Sequence, residues 1–401
     1  MSAMKRLFQV MSEKKASDIF ISVGAPINIK INGVAVPVNQ AIMTADTVRH
    51  LLYELLTERQ IKEFEHEMEL NTALAVEGIG SFRISAFRQK GAPAIVVRYI
   101  PGAIPPIDTL GVPDVLKEVI MQKRGLILMV GATGSGKSTS LASMIDYRNE
   151  RKSGHILTLE DPIEFIFQNK KSIVNQREVG TDTKAFEVAL KNALRQAPDC
   201  ILIGEIRDKQ TMSMALAYAQ SGHLCLATLH ANNSYHAMNR IINFYPLETR
   251  SSLLLDLAAA LQAVVSQRLV RTKTGARVVA VEVLLNTRNI SELIEKGDIS
   301  EIKEALEKSL APGSQTFEQS LFKLFMEGKI TQEEAMSNAD SSTNMLWLIN
   351  QATAGELSLS GAGGPSSAAS QQLKTLAEEE KKGVASGAGP SFNDIKIDMN
   401  A

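Results

Sequence analysis

Apolar positions follow two different rhythms along this chain. Over the first hundred residues they alternate with polar ones or recur at helical spacing. Leu7, Val10 and Met11 share one face of a helix predicted over residues 4–15. Residues 19–23 read as a short strand. Residues 27–31 and 34–38 alternate around the Asn32-Gly33 step, which predicts a hairpin. Thr44 is placed to cap a helix through residue 55, and Thr57 another through residue 66. Residues 81–87 and 94–99 are two further strands. The whole reads as a small α+β domain over residues 1–100.

From residue 110 to 287 the rhythm changes. Short uninterrupted apolar runs, the signature of strands buried on both faces, alternate with helical stretches. The runs are 126–130, 155–159, 199–205 and 223–228. Helices are predicted over 139–147, over 184–195, and over 208–221 with Asp208 as cap. This is a doubly wound, RecA-like α/β layout, in which ligands gather at the carboxyl ends of the strands. Pro101, Gly102, Pro105 and Pro106 mark a connection over 101–113, either a hinge or a static link. The α/β core is expected over 114–287. Short helices at 291–295, 301–310, 316–327 and 331–339 make a helical segment over 288–353. Beyond it Gly, Ser and Ala dominate 358–370 and 384–391, around the charged patch 378–382, which predicts a disordered tail over 354–401.

Composition narrows the class. The 401 residues are 44% hydrophobic and 22% charged, as in a water-soluble globular protein. The formal net charge of −1 gives no global reason to expect nucleic acid as a partner. Cys200 and Cys225 are the two cysteines, each inside an apolar run, so buried thiols are expected and a cysteine-built zinc site is not. No apolar run approaches the ~20 residues of a spanning helix. A cytoplasmic protein without direct membrane insertion is the expectation.

Gly131-Ala132-Thr133-Gly134-Ser135-Gly136-Lys137-Ser138 fits the phosphate-binding P-loop, G-x-x-x-x-G-K-[ST], between the strand and the helix that this motif requires. Its three glycines let the backbone N–H groups turn inward, and the helix N-terminus adds partial positive charge. Lys137 suits the β- and γ-phosphates, the Ser138 hydroxyl suits Mg2+, and Thr139 follows on the same turn. Glu205 ends one apolar strand and Glu160 and Asp161 another. Three acids near phosphates favour Mg2+ with ATP over a metal-free site. One glutamate would hold the metal and the other polarise the water, and the sequence does not apportion them. His230 ends a third strand, as a γ-phosphate sensor or as a structural histidine. Arg83 and Arg98 are the best candidates for arginine fingers acting in trans. Arg195 and Arg207 are candidates within the α/β domain.

These residues carry a resemblance to the type II/IV secretion ATPase superfamily, and within it to the pilus retraction ATPases of the PilT/PilU type. Its marks are the Walker A segment 131–138, the aspartate box 155–164, the Walker B box 201–208 and the histidine box 222–233. The Ser17-Asp18 and Asn32-Gly33 segments match as well, so the likeness spans residues 4–350. It implies a PAS-like N-terminal domain, a RecA-like ATPase domain, ATP bound between the two with arginines reaching in, and a homo-hexameric ring. It also implies a motor at the cytoplasmic face of the inner membrane, meeting the pilus platform protein and serving twitching motility and DNA uptake. Two departures qualify this. Where PilT proteins carry Ala-Ile-Arg-Asn-Leu-Ile-Arg-Glu, this chain has Thr287-Arg288-Asn289-Ile290-Ser291-Glu292-Leu293-Ile294-Glu295. That is closer to PilU-type members, accessory motors that work beside a PilT-like ATPase. The tail beyond residue 354 is the second departure. A pilus assembly or secretion ATPase and a nucleotide-binding, non-hydrolysing ring component are the competing readings.

Overall fold

The computed structural model describes residues 2–353, apart from 32, 77, 101 and 102. The expected disordered tail and part of the expected connection therefore lie outside the described residues.

The first unit runs α1 (Ala3–Lys14), β1 (Asp18–Ser22), β2 (Asn28–Ile31), β3 (Val34–Pro37), α2 (Ala45–Tyr53), α3 (Glu58–Glu67), β4 (Glu69–Val76), β5 (Gly80–Gln89) and β6 (Ala92–Ile100). Thr44 and Thr57 cap α2 and α3, and Thr57 forms a capping box with Gln60. The strands build a six-stranded antiparallel sheet in the order β3-β2-β1-β6-β5-β4. Its core joins Met4, Phe8 and Met11 of α1 to Ile19, Phe82, Ile84 and Val97, with the Phe8 and Phe82 rings stacked at 4.0 Å.

The second unit runs α4 (Val115–Ile120), β7 (Gly125–Val130), α5 (Lys137–Arg151), β8 (Gly154–Glu160), β9 (Ser172–Glu178), α6 (Phe186–Ala193), β10 (Cys200–Ile203), α7 (Lys209–Gln220), β11 (Leu224–Leu229), α8 (Ser234–Asn243), α9 (Leu247–Ala260), β12 (Leu261–Arg271) and β13 (Arg277–Leu285). Asp208 caps α7 by accepting from the Thr211 N–H. The seven strands lie in the order β13-β12-β7-β11-β10-β8-β9, parallel throughout except for β13. Alternate residues of each central strand feed opposite faces. Leu126, Leu128, Ile201 and Ile203 enter one core, while Ile127, Met129, Cys200 and Leu202 enter the other. Continuous apolar runs are what such doubly covered strands require. Both cysteines are free and buried.

The described residues end in α10 (Arg288–Lys296), α11 (Ile302–Glu307), α12 (Phe317–Met326), α13 (Gln332–Asn338) and α14 (Ser342–Thr353). Ile290 and Ile294 of α10 and Ile302 of α11 join a core of the α/β unit. Phe317, Leu321 and Met345 pack separately on Val270 and Ala280 of the β12–β13 ribbon. Among the described residues no helix is long and apolar enough to cross a membrane.

Candidate nucleotide site

The P-loop leaves the end of β7, whose six residues are all buried. Two of its glycines are sterically required. Gly131 has φ +151°, and a Cβ there would lie 2.5 Å from Ser135 Oγ and 2.6 Å from the Gln267 carbonyl. Gly136 has φ +90°, and its Cβ would meet Gln267 Nε2 at 2.6 Å. Lys137 Nζ donates to the carbonyls of Gly131 at 2.8 Å and Ala132 at 2.9 Å. Burial pushes its ammonium pKa down, against the opposing pull of Glu164 and Glu205. Gln267 of β12 braces the loop from outside: its Nε2 donates to the Ser135 carbonyl at 2.9 Å and its Oε1 accepts from Ser140 Oγ at 2.8 Å. The buried Ser135 Oγ has no hydrogen-bond partner among the described residues.

A cleft of about 620 Å3 opens at this loop. Thr133, Gly134, Gly136, Lys137, Ser138 and Thr139 line it on the P-loop side. Glu160, Asp161 and Glu164 stand at the end of β8, Glu205 and Arg207 after β10, and His230 after β11. Parallel strands all end on this side of the sheet, which is why residues so far apart in sequence converge. Arg98 enters from the N-terminal unit, into the cleft of its own chain. Ala132 and Ser135 line a smaller cavity of about 260 Å3 on the far side of the loop. Arg83 pairs with Arg98 across the β5–β6 ladder but does not line the cleft. Its Nε is buried without a hydrogen-bond partner among the described residues, and it feels Glu164, Glu178 and Asp161. Arg195 is exposed beyond α6, bonded to Asn192, outside the cleft lining.

The two glutamates occupy different environments. Glu160 is 9% exposed and accepts from Thr158 Oγ1 at 2.6 Å and Gln176 Nε2 at 3.3 Å. Burial raises its carboxyl pKa. Glu205 is more accessible: Arg207 Nε donates to its Oε2 at 2.7 Å, and His230 Nε2 stands 3.5 Å from its Oε1. Arg207 also reaches Asp161 at 3.6 Å. A desolvated carboxyl beside a paired carboxylate is how two acids of one site come to different tasks.

Among the described residues no group of three or more His, Cys, Asp or Glu is arranged to hold a metal by itself. Mg2+ does not need one, because it takes one or two protein oxygens and completes its shell with phosphate and water. The Ser138 hydroxyl and the Glu205 carboxylate line the same cleft and are the hard oxygen donors that fit it. Several lining and bracing residues were not among the candidates read from the sequence. Arg277 lines both cavities, Gln267 braces the loop, and Thr158 and Gln176 hold Glu160. Thr158 and Gln176 are partners across β8 and β9, a pairing visible only once the two strands are in register.

A parallel sheet with a P-loop on a central strand, and two acids and a histidine at neighbouring strand ends, defines a P-loop ATPase. The chain belongs to the type II/IV secretion system protein family, whose model matches residues 2–278. It is 46% identical over 346 residues to the type IV pilus ATPase PilU of Pseudomonas aeruginosa, covering 86% of this chain and 91% of the relative. It is 38% identical to PilT, the type IV pilus retraction ATPase of the same organism, covering 83% of this chain and 97% of that one. Among solved structures, the pilus retraction motor PilT with bound ADP superimposes with a TM-score of 0.80 at 39% identity, over 85% of this chain and 99% of the other. The resemblance drawn from the sequence boxes is thereby borne out.

Proposed function

We propose that this protein hydrolyses ATP to drive or assist type IV pilus retraction, as a PilU-like accessory to a PilT-like ATPase. The observation that carries the reading is the convergence of Lys137, Ser138, Glu160, Glu205 and His230 on one cleft between two domains. Similarity to PilU over most of the chain, together with the departure from the PilT motif at α10, favours the accessory role. The N-terminal unit is read as PAS-like. The working assembly is read as a homo-hexamer at the cytoplasmic face of the inner membrane, engaging the pilus platform protein and serving twitching motility and DNA uptake.

Lys137 and the P-loop amides hold the phosphates. Glu160 accepts the proton of the attacking water, since a carboxylate made more basic by burial is the better base. Ser138 and Glu205 would hold Mg2+, which neutralises charge on the transferring phosphoryl group. His230 reports on the γ-phosphate through its proximity to Glu205, and Arg98 adds positive charge from the N-terminal side. Closure of the two units about the nucleotide converts hydrolysis into motion.

ATP hydrolysis by the purified protein, alone and with a PilT-like ATPase added, tests this beside Glu205→Ala. Hydrolysis lost in the variant supports a motor, and hydrolysis only in the mixture supports the accessory role. No activity above the variant in either case leaves a nucleotide-binding ring component.

A further inference from the structure

Arg98 stands in a row of three side chains across three strands. Asp18 of β1 is its partner on one side and Arg83 of β5 on the other. Asp18 is 4% exposed, yet it faces a guanidinium that is largely open to solvent. Its Oδ1 accepts from Arg98 Nε at 2.9 Å, and its Oδ2 accepts from Ser17 Oγ at 2.9 Å. The carboxylate is therefore gripped from both sides and fixed by the sheet. A guanidinium presents an Nε side and a terminal Nη edge, and the terminal edge is the one suited to a bidentate grip on phosphate oxygens. Here Nε is engaged, while Nη1 and Nη2 have no protein partner among the described residues. Repulsion from Arg83, whose pKa is lowered first by burial and further by the charge of Arg98, would otherwise push the side chain aside.

We propose that Asp18 is a positioning residue that orients Arg98, its terminal Nη edge turned to the γ-phosphate of ATP bound in the cleft of the same chain. The proposal rests on the reading of that cleft as the ATP site. A freely rotating arginine would have to give up its rotamer freedom in every turnover, whereas one already held at Nε gives up less.

The test uses the full-length protein and Asp18→Asn, Asp18→Ala, Arg98→Ala and the Asp18→Ala/Arg98→Ala double variant. Calorimetry would measure affinity for ADP and for a non-hydrolysable ATP analogue, with thermal melting to identify any variant that fails to fold. Asp18→Asn keeps the side-chain shape and carries the test if Asp18→Ala is unstable. Each Asp18 variant is expected to bind the analogue about tenfold more weakly while ADP affinity stays constant, because only the γ-phosphate meets Arg98. In the Arg98→Ala background, Asp18→Ala should add nothing further. Equal losses for ADP and the analogue, or an Asp18 effect that persists without Arg98, would mean a merely structural aspartate. An intact preference for the analogue in Arg98→Ala would overturn the role of Arg98 and the proposal with it. Failure of the wild type to bind either nucleotide would instead sink the ATPase reading itself.

Discussion

Glu160 concentrates the tension between stability and chemistry. Its carboxyl is buried and its pKa is raised, so ionising it costs the folded state more than the unfolded chain. Below the ordinary glutamate value of 4.5 both states are protonated and the burial is tolerated. As pH rises through that value the unfolded chain ionises first, and stability falls until the folded-state pKa is passed. Glutamine at this position never ionises. Glu160→Gln is therefore expected to melt at a higher temperature than the wild type near neutral pH in metal-free buffer, with the gap closing as pH drops below the ordinary carboxylate range. Its ATP hydrolysis should fall at least about a hundredfold, the usual cost of losing a general base. Melting curves over a pH series, beside steady-state hydrolysis, decide this. A variant that is less stable at every pH would show that the carboxylate holds the fold rather than straining it.

Elements were legible where their signals were local. Apolar runs at 126–130 and 223–228 lie within one residue of β7 and β11, and Thr44, Thr57 and Asp208 cap the helices expected of them. The ribbon of β12 and β13 was not legible. Helix α9 passes into β12 between Ala260 and Leu261 with no Gly or Pro to mark the change, so nothing local separates helix from strand there. This hid Gln267, whose side chain ties the Ser135 carbonyl of the P-loop to Ser140 of α5 from a strand 132 and 127 residues downstream. Gln267→Ala would leave the buried Ser140 hydroxyl and the Ser135 carbonyl unpartnered, a loss of about 1–3 kcal/mol. It should also weaken ATP binding, because the loop loses its outer support. Denaturant unfolding and nucleotide titration would both register it, and an unchanged unfolding midpoint would show that water replaces the amide.

At the scale of the molecule, the nucleotide cleft and the C-terminal helices share one anchor. Arg268 of β12 donates to the Asn232 carbonyl at 3.1 Å, in the loop that follows His230, and also to the Asn338 carbonyl and to Asp340 Oδ1. Its guanidinium lies 3.9 Å from the centre of the Phe317 ring at the start of α12. Asn233 Nδ2 closes the circuit by donating to Asp340 Oδ2 at 2.6 Å. The loop beside His230 is thus bonded to the turn between α13 and α14, and the histidine box marks only its Asn232 and Asn233, because Arg268, Asn338 and Asp340 lie on separate elements. Arg268→Met keeps much of the stem packing and removes the three bonds that Arg268 donates, leaving Asp340 a partly buried carboxylate held by Asn233 but without its cation. The expected cost is about 1–3 kcal/mol. Because the anchor is shared, hydrogen exchange should quicken together in residues 230–236 and in α12–α14, while the six-stranded N-terminal sheet keeps its protection. Faster exchange in the helices with the loop unchanged would mean that Arg268 only packs the ribbon. Joint loosening accompanied by slower ATP turnover would mean that the helices help set the position of the loop beside the cleft.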